Sequence, residues 1–317
     1  MLRFILKRSL VSVAVLLVIS VLLFILVRQA PGDPVDMYVN PLTFSGDLEA
    51  ARAAVTAQLG LDQPLVVQYF RWLGEALTGN LGYSYLDGRA VTALMMDRLY
   101  NTMALVVPSL IVSLLIGIVG GVWAALRHNR AGDYILSAGS VIALSVPPFF
   151  LALAGIYVFG LQLRWLPTAG MNATIPSAWE GFRHMIMPAL ILGTAGAAAY
   201  QRWTRSSMLD VLGQDFMMTA RSKGLSGGRI TWRHGVYNAL IPIITVIAMN
   251  IPQLLGGAVI VEQVFAWPGM GRLAVDSITS RDYPVLMGFV MFIAIIVVIA
   301  NLVADIAYSV VDPRIRL

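Results

Sequence analysis

Residues 210–242 read DVLGQDFMMTARSKGLSGGRITWRHGVYNALIP, a polar segment between two long apolar runs. Asp215 is a suitable N-cap for a short helix, because its carboxylate can accept hydrogen bonds from the free amides of the first turn. Arg221 and Lys223 fall in the last turn of that helix, where cations oppose the negative end of the helix dipole. Gly224 follows at the position where a left-handed backbone costs glycine little. The segment therefore predicts a short helix that ends in a tight glycine turn.

A second short helix is predicted after that turn. Ser226 is placed to cap it, it extends through Tyr237, and Pro242 begins the next apolar run. A loop with this much internal structure is typical of a docking surface rather than of a tether. A positively charged loop without a partner is the alternative.

The composition indicates a membrane protein. The 317 residues are 58% hydrophobic and 12% charged, whereas a soluble domain carries about 25% charged residues. The net charge of +5 does not indicate nucleic-acid binding, because the basic residues are not clustered with aromatic ones. Cysteine is absent, which excludes disulfides, thiolate catalysis and zinc-thiolate sites.

Six stretches lack charged residues and histidine over the roughly 17–25 residues that cross a bilayer. In lipid only a helix of this length satisfies its own backbone hydrogen bonds, so we expect six transmembrane helices in an all-α membrane protein. The stretches are Ser9–Val27, Leu99–Leu126, Tyr134–Leu163, Met185–Gln201, Gly235–Val261 and Tyr283–Ala304.

The orientation follows from the distribution of Lys and Arg. Thirteen of these residues lie on the side of both termini and nine on the other side, in far more sequence. We therefore expect both termini and the loop 203–238 in the cytoplasm. Residues 1–28 have a basic start and an apolar run. A cleavable signal peptide is the alternative there, but the run is long and the residues after it form a poor cleavage site, so we expect a signal anchor.

Residues 29–98 are predicted to form a small helical extracytoplasmic segment. Asp47 is placed to cap a helix that ends near Gly60, and Pro64 begins another that runs toward Gly79. The aromatic face of the second helix, which includes Tyr69 and Trp72, favours packing on the membrane surface or on neighbouring helices. Ligand binding is the alternative.

Two short motifs interrupt the apolar runs. Ser145, Pro147 and Pro148 lie within the third predicted span, where the double proline removes two backbone donors and kinks a helix. This kink either lines a pathway or is a static packing feature.

The second motif follows the fifth span and consists of Glu262, Trp267, Pro268 and Gly269. It predicts a turn at the extracytoplasmic interface, where tryptophan is favoured. Glu262 either faces a substrate or, as we favour, pairs with Arg272 or caps backbone amides.

The string Thr219-Ala220-Arg221-Ser222-Lys223-Gly224-Leu225, followed by Asn238-Ala239-Leu240-Ile241-Pro242, resembles the EAA loop of ABC importer permeases. Within these permeases the dipeptide/oligopeptide family is the most similar, and residues 59–64, 79–84 and 261–273 carry further resemblance to it. The glutamate of the broad EAA pattern is absent here, because Met218, Thr219 and Ala220 occupy those positions. The resemblance implies a type I ABC importer permease whose coupling loop contacts an ATPase through Asp215, Thr219, Ala220, Arg221, Lys223, Gly224, Leu225 and Ser226.

The resemblance also implies partners. They are a paralogous permease subunit, two cytoplasmic ATPase subunits, an extracytoplasmic substrate-binding protein and membrane lipid, in a bacterial inner membrane. Residues 99–317 would form a five-helix permease core, and the substrate would be a di- or oligopeptide or a similar small solute. No P-loop is present, so we expect no cofactor in this chain, with ATP and Mg used by the partner ATPases, and no enzyme activity. A secondary transporter driven by an ion gradient is the alternative.

Overall fold

The computed structural model describes residues 2–30, 35, 39, 46–170 and 177–311, and every structural statement below concerns these residues. They form two compact units. One is centred on Asn101–Arg272 and the other combines Leu6–Tyr100 with Leu273–Val298. The described part of the chain is helical and has no β-strand beyond an isolated bridge between Tyr83 and Ala90.

Twelve helices are described, and we number them in chain order. Two of them, α6 and α9, continue without interruption into π-helical turns, at Ile156–Gln162 and Ile230–Val236. The helices are α1 Leu2–Gln29, α2 Leu48–Leu59, α3 Leu65–Leu77, α4 Val91–Leu126, α5 Ala131–Ser145, α6 Pro148–Gly155, α7 Ala178–Leu212, α8 Asp215–Ser222, α9 Gly227–Arg229, α10 Tyr237–Val264, α11 Met270–Ser280 and α12 Tyr283–Val311.

Four described helical segments are long and apolar enough to cross a membrane: Leu6–Gln29, Val91–Leu126, Pro242–Val264 and Tyr283–Val303. Helices α5 and α6 make a fifth candidate if the pair is one span, and they are bent by 99° at the break between them. The remaining predicted span, Met185–Gln201, is the fourth in chain order. It lies inside the 35-residue helix α7, which is not among these candidates. The described residues therefore contain four or five candidate spans by length and composition, which supports a multi-pass membrane protein.

The helices of the 29–98 segment form as their capping residues predict. Asp47 accepts a hydrogen bond from the amide of Ala50 at 3.1 Å at the start of α2, and Gly60 ends that helix with a φ of 66°. The aromatic face of α3 packs within its own unit. Tyr69 shares a hydrogen bond of 2.8 Å with Ser20 and meets the Phe24 ring edge-on at 5.6 Å. Of the alternatives for this face, packing on a neighbouring helix is the one that the structure shows.

Small residues bring α4 and α7 into close contact in the larger unit. A Cβ atom on Gly117 would lie 2.8 Å from the carbonyl oxygen of Ala197, and one on Gly121 would lie 2.7 Å from that of Gln201. Only glycine allows the two backbones to approach so closely. Ser113 of α4 adds a hydrogen bond of 2.7 Å to the carbonyl oxygen of Gly193. This contact fixes the helix that leads directly into the coupling loop.

Candidate functional site

The segment predicted to be the coupling loop, which keeps that name below, contains a short helix and a glycine turn. Helix α8 spans Asp215–Ser222, and Gly224 follows with a φ of 72°. The expectation that Asp215 is the N-cap is wrong by one residue, because Gln214 holds that position and Asp215 is the first helical residue. Its carboxylate still lies in the first turn, where the helix dipole favours a negative charge.

The second helix does not end at Tyr237. Ser226 is the N-cap of α9 but makes no side-chain capping hydrogen bond. From Gly227 the chain stays helical through the π-turns and continues as α10 to Val264. Pro242 therefore lies inside a helix rather than at its start. The second half of the coupling loop is thus continuous with a candidate membrane span.

Buried side chains hold the coupling loop in place. Met217 and Ala220 of α8 pack with Ile230 of the second half, and Leu212 and Leu225 lie against them. This contact closes the two halves on each other across the Gly224 turn. The fold of the loop is therefore set within the chain, since apolar burial of this kind stabilises it without a partner.

A second cluster fixes the loop to the helices around it. Val122 of α4, Met208 of α7 and Val236 lie together at its centre, with Ala239 of α10 beside them. Ser207 donates a hydrogen bond to the carbonyl oxygen of Ala239 at 2.8 Å. The loop, α4, α7 and α10 therefore share one packed base.

The opposite surface of the loop is exposed and mixes apolar and basic side chains. Thr219, Arg221 and Lys223 are exposed, while Ala220 is buried beneath them and Leu225 is half-buried. Large apolar side chains stand beside the basic ones: Met218 is 67% exposed and Trp232 is 64% exposed. Aromatic, methionine and arginine side chains are enriched at protein interfaces. The expected site residues thus divide into an outward face and a packed base.

An ion pair that sequence reasoning missed lies beside this base. Asp133, on the first turn of α5, is almost fully buried and accepts two hydrogen bonds from Arg205 of α7, at 2.5 and 2.7 Å. His128 lies 3.3 Å from the same carboxylate, and the amide of Asn129 donates to it at 3.1 Å. The hydrogen bonds that Arg205 donates to the Asp133 carboxylate raise the pKa of Arg205. The pair ties the loop between α4 and α5 to α7, the helix that ends just before the coupling loop.

Glu262 is a capping residue in this structure. Its side chain is completely buried, and its carboxylate accepts hydrogen bonds from the amides of Gly271 at 2.7 Å and Arg272 at 3.1 Å in the first turn of α11. Thr102 donates to it at 2.6 Å and accepts from the amide of Met270 at 2.8 Å. Of the roles considered for Glu262, capping of backbone amides matches the geometry.

The turn that contains Trp267 is held by hydrogen bonds to Asn101, which belongs to the same compact unit. The indole of Trp267 is buried and donates to the backbone carbonyl oxygen of Asn101 at 2.9 Å. The side-chain amide of Asn101 in turn donates to the carbonyl oxygen of Pro268 at 2.9 Å. Gly269 has no room for a side chain, because a Cβ atom there would overlap the Glu262 carboxylate. These residues form a rigid corner between α10 and α11.

The double proline produces a break rather than a kink. Pro147 is the N-cap and Pro148 the first residue of α6, after α5 has ended at Ser145. The Ser145 hydroxyl donates to the carbonyl oxygen of Val141 at 2.8 Å and so remains within its own helix. Whether these three residues line a pathway stays a prediction.

Two family models cover nearly the whole chain. Residues 117–317 match the binding-protein-dependent transport system inner membrane component, and residues 1–106 match the N-terminal part of the membrane components of such systems. The chain belongs to this family.

Full-length relatives agree with that assignment. The chain is 42% identical over 319 residues to the oligopeptide transport system permease protein AppB of Bacillus subtilis, covering 100% of both chains. It is 38% identical over 316 residues to the glutathione transport system permease protein GsiC of Escherichia coli K12, covering 100% of this chain and 99% of the relative. The permease fold is also seen in the MetNI methionine ABC transporter in an inward-facing conformation, with a TM-score of 0.57 and 17% identity over 69% of this chain and 96% of that one.

The permease assignment confirms the resemblance that the coupling loop carries. It also supports dependence on a substrate-binding protein and location in the inner membrane. The alternative of a secondary transporter receives no support from these relatives.

Proposed function

We propose that this permease forms the translocation path of an ATP-driven importer for short peptides and docks an ATPase subunit through its coupling loop. The observation that carries the proposal is the two-sided construction of that loop. Met217, Ala220 and Ile230 fix it from within, while Met218 and Arg221 face outward. A rigid exposed surface of this composition suits binding of another protein.

Six spans with both termini in the cytoplasm are part of this proposal. The four clear candidates and the α5–α6 pair supply five of them, and the apolar part of α7 supplies the sixth. The distribution of Lys and Arg places the coupling loop in the cytoplasm, where ATP is available. Residues 29–98 then lie outside, where a substrate-binding protein delivers its load.

The transport step follows from how the loop is connected. Closure of two ATPase subunits would displace α8, and the shared base with α4, α7 and α10 would carry that displacement into the spans. Rigid-body motion of packed helices is a common way to alternate between inward- and outward-facing states. The sequence contains no P-loop motif, and we therefore propose that ATP and Mg are used by the partner ATPases.

The relatives indicate the substrate class. AppB is named for oligopeptides and GsiC for glutathione, which is itself a tripeptide. We therefore propose di- to oligopeptides as the substrates, and a paralogous permease as the partner across the pathway.

Reconstitution tests the proposal. The permease is co-expressed with the ATPases, the second permease and the binding protein encoded nearby, purified in mild detergent and placed in proteoliposomes. We expect ATP-dependent uptake of labelled dipeptide or glutathione. Arg221→Glu should abolish recovery of the ATPase subunits, and Arg164→Glu, an equal change of charge on the opposite predicted side, should leave it unchanged. Uptake driven by an ion gradient without ATPases would refute the proposal.

A further inference from the structure

A cavity of about 380 Å³ lies within the smaller unit, at the C-terminal end of α1. Its wall includes Arg28 of α1, Arg71, Trp72 and Glu75 of α3, and Tyr85. Volumes of about 300–1,000 Å³ are typical of sites for small ligands. Nothing in the coupling mechanism uses this cavity.

The cavity wall carries charges of both signs, and one of its arginines, Arg28, is not paired with a carboxylate among the described residues. The Arg28 guanidinium lies over the Phe24 ring, 5.3 Å from its centroid, and makes no ion pair with a carboxylate among the described residues. Arg71 is one helical turn before Glu75, and their side chains meet at 3.4 Å while staying largely exposed. Two guanidinium groups and one carboxylate suit a ligand that carries both an anionic and a cationic group.

The floor of the cavity is held rigidly. Gln68 is buried and donates to the carbonyl oxygens of Leu61 at 3.1 Å and Gln63 at 2.7 Å. Its own side-chain oxygen is buried and has no hydrogen-bond partner among the described residues. The two hydrogen bonds from Gln68 therefore hold the segment 61–63 against α3, in the wall of the cavity.

Apolar surfaces flank the cavity on two helices. On α1, Leu22 and Leu26 are 55% and 65% exposed, lie one turn apart, and fall within the last two turns before Arg28. On α3, Val66, Phe70 and Leu77 share one face and are 66%, 63% and 80% exposed. Exposed apolar side chains on a membrane-spanning helix meet lipid tails, and an amphipathic helix with such a face lies in the membrane interface. The charged cavity thus lies where lipid headgroups are found.

We infer that this cavity binds the headgroup of a zwitterionic aminophospholipid, with Arg28 and Arg71 on the phosphate and Glu75 on the ammonium group. Arginine binds phosphate well because its planar fork presents several donors at once. The acyl chains would run along Leu22 and Leu26 of α1. Such a lipid would fix α3 against the end of α1.

Native mass spectrometry of the full-length permease tests the site. The protein is washed free of lipid and offered either phosphatidylethanolamine or phosphatidylglycerol. We expect a retained phosphatidylethanolamine adduct, and about fivefold less of it in Arg28→Gln or Arg71→Gln, since one cationic contact with a lipid surface contributes roughly that much. Arg89→Gln removes an arginine of the same unit that pairs with Asp97 outside the cavity and should retain the lipid as the wild type does.

Glu75→Gln separates the two headgroups. It should remove the preference for phosphatidylethanolamine over phosphatidylglycerol while preserving binding of the phosphate. Equal retention by Arg28→Gln and Arg89→Gln would overturn the proposal. So would displacement of the lipid by a free dipeptide, because the cavity would then be a site for small zwitterions.

A labelling experiment needs no variant and covers the case in which substitutions prevent folding. Phosphatidylethanolamine with a photoreactive headgroup is crosslinked to the wild-type permease, and the adducts are mapped on peptides. Labels concentrated within 24–28 and 58–85 are expected. Labels spread evenly over the membrane-facing helices would refute a specific site.

Discussion

A substitution at Gly224 tests whether the exposed face of the coupling loop binds an ATPase subunit, because the effects of backbone strain and of partner contact can be measured separately. The residue has a φ of 72°, and a Cβ atom built on it would meet nothing within 4 Å. Within the chain, Gly224→Asp therefore costs only backbone strain. A left-handed conformation costs about 1 kcal/mol for a residue such as aspartate. Any larger effect must come from something outside the chain.

Gly79 is the matched control. It follows the C-cap of α3 as Gly224 follows that of α8, has a φ of 85°, and also leaves open space for a Cβ atom. Gly79→Asp therefore adds the same charge and nearly the same strain. The two variants should insert into membranes equally and lose similar stability, which thermal unfolding in detergent measures.

Gly224→Asp and Gly79→Asp should differ in ATPase binding and in ATP-driven uptake. Overpacking of a well-packed site costs about 2 kcal/mol, which is about thirtyfold in affinity. We expect Gly224→Asp to lose most of its bound ATPase and nearly all ATP-driven uptake in proteoliposomes. Gly79→Asp should retain its ATPase subunits. Normal uptake by Gly224→Asp, or an equal loss of ATPase from both variants, would contradict the placement of Gly224 at the ATPase.

Three further predictions concern close packing at three other places in the protein. Gly269→Ala should disrupt the turn between α10 and α11, because the added Cβ atom overlaps the buried carboxylate of Glu262. Protease cleavage near residue 269 should therefore increase. Cleavage at the wild-type rate would refute the overlap. Asp133→Asn should lower the free energy of unfolding by about 2–3 kcal/mol, which is less than for a fully buried pair because Arg205 is 25% exposed. Denaturant unfolding measures this change. A change below about 0.5 kcal/mol would contradict a stabilising role for the Asp133–Arg205 pair. Gly121→Ala should cost about 1–3 kcal/mol by overpacking, whereas Gly139→Ala, with open space around it, should be neutral or slightly stabilising in the same thermal assay.

Features governed by local geometry were predictable from the sequence. Asp47 and Gly60 bound α2 as their capping preferences indicate. Gly224 has the left-handed conformation expected after a helix that ends in basic residues. In each case neighbouring residues in sequence determine the structure, so the pattern carries the information.

The helix boundaries around prolines were harder to predict. Pro242 lies within a continuous helix, whereas Pro148 starts a new one after a bend of 99°. Both prolines lack an amide donor and disfavour the preceding turn. The outcome depends on whether packing or a π-turn satisfies the freed carbonyl groups, and that is a property of the surroundings rather than of the local sequence.

Contacts between distant residues could not be predicted at all. Asp133 and Arg205 are 72 positions apart, and Thr102 and Glu262 are 160 apart. A single sequence offers only the rule that a buried charge must have partners, without saying which. For Asp133 even its burial was unexpected, since it stands next to a short basic loop.

Under the proposed function, these distant contacts would carry a displacement of the coupling loop to the spans. Helix α7 contacts α4 at Gly117 and Gly121, and Arg205 fixes it to the start of α5. Two residues separate its end from the start of α8. Each contact is too tight to slip, because neither a backbone approach through glycine nor a buried bidentate ion pair tolerates a small shift. A displacement of α8 should therefore move α4, α5 and α7 together. The break between α5 and α6 at Pro147 and Pro148 is then the first place after α5 where the chain can change direction. If so, weakening the Asp133–Arg205 pair should reduce uptake more than it reduces ATPase binding, because the surface remains while its connection to α5 is lost.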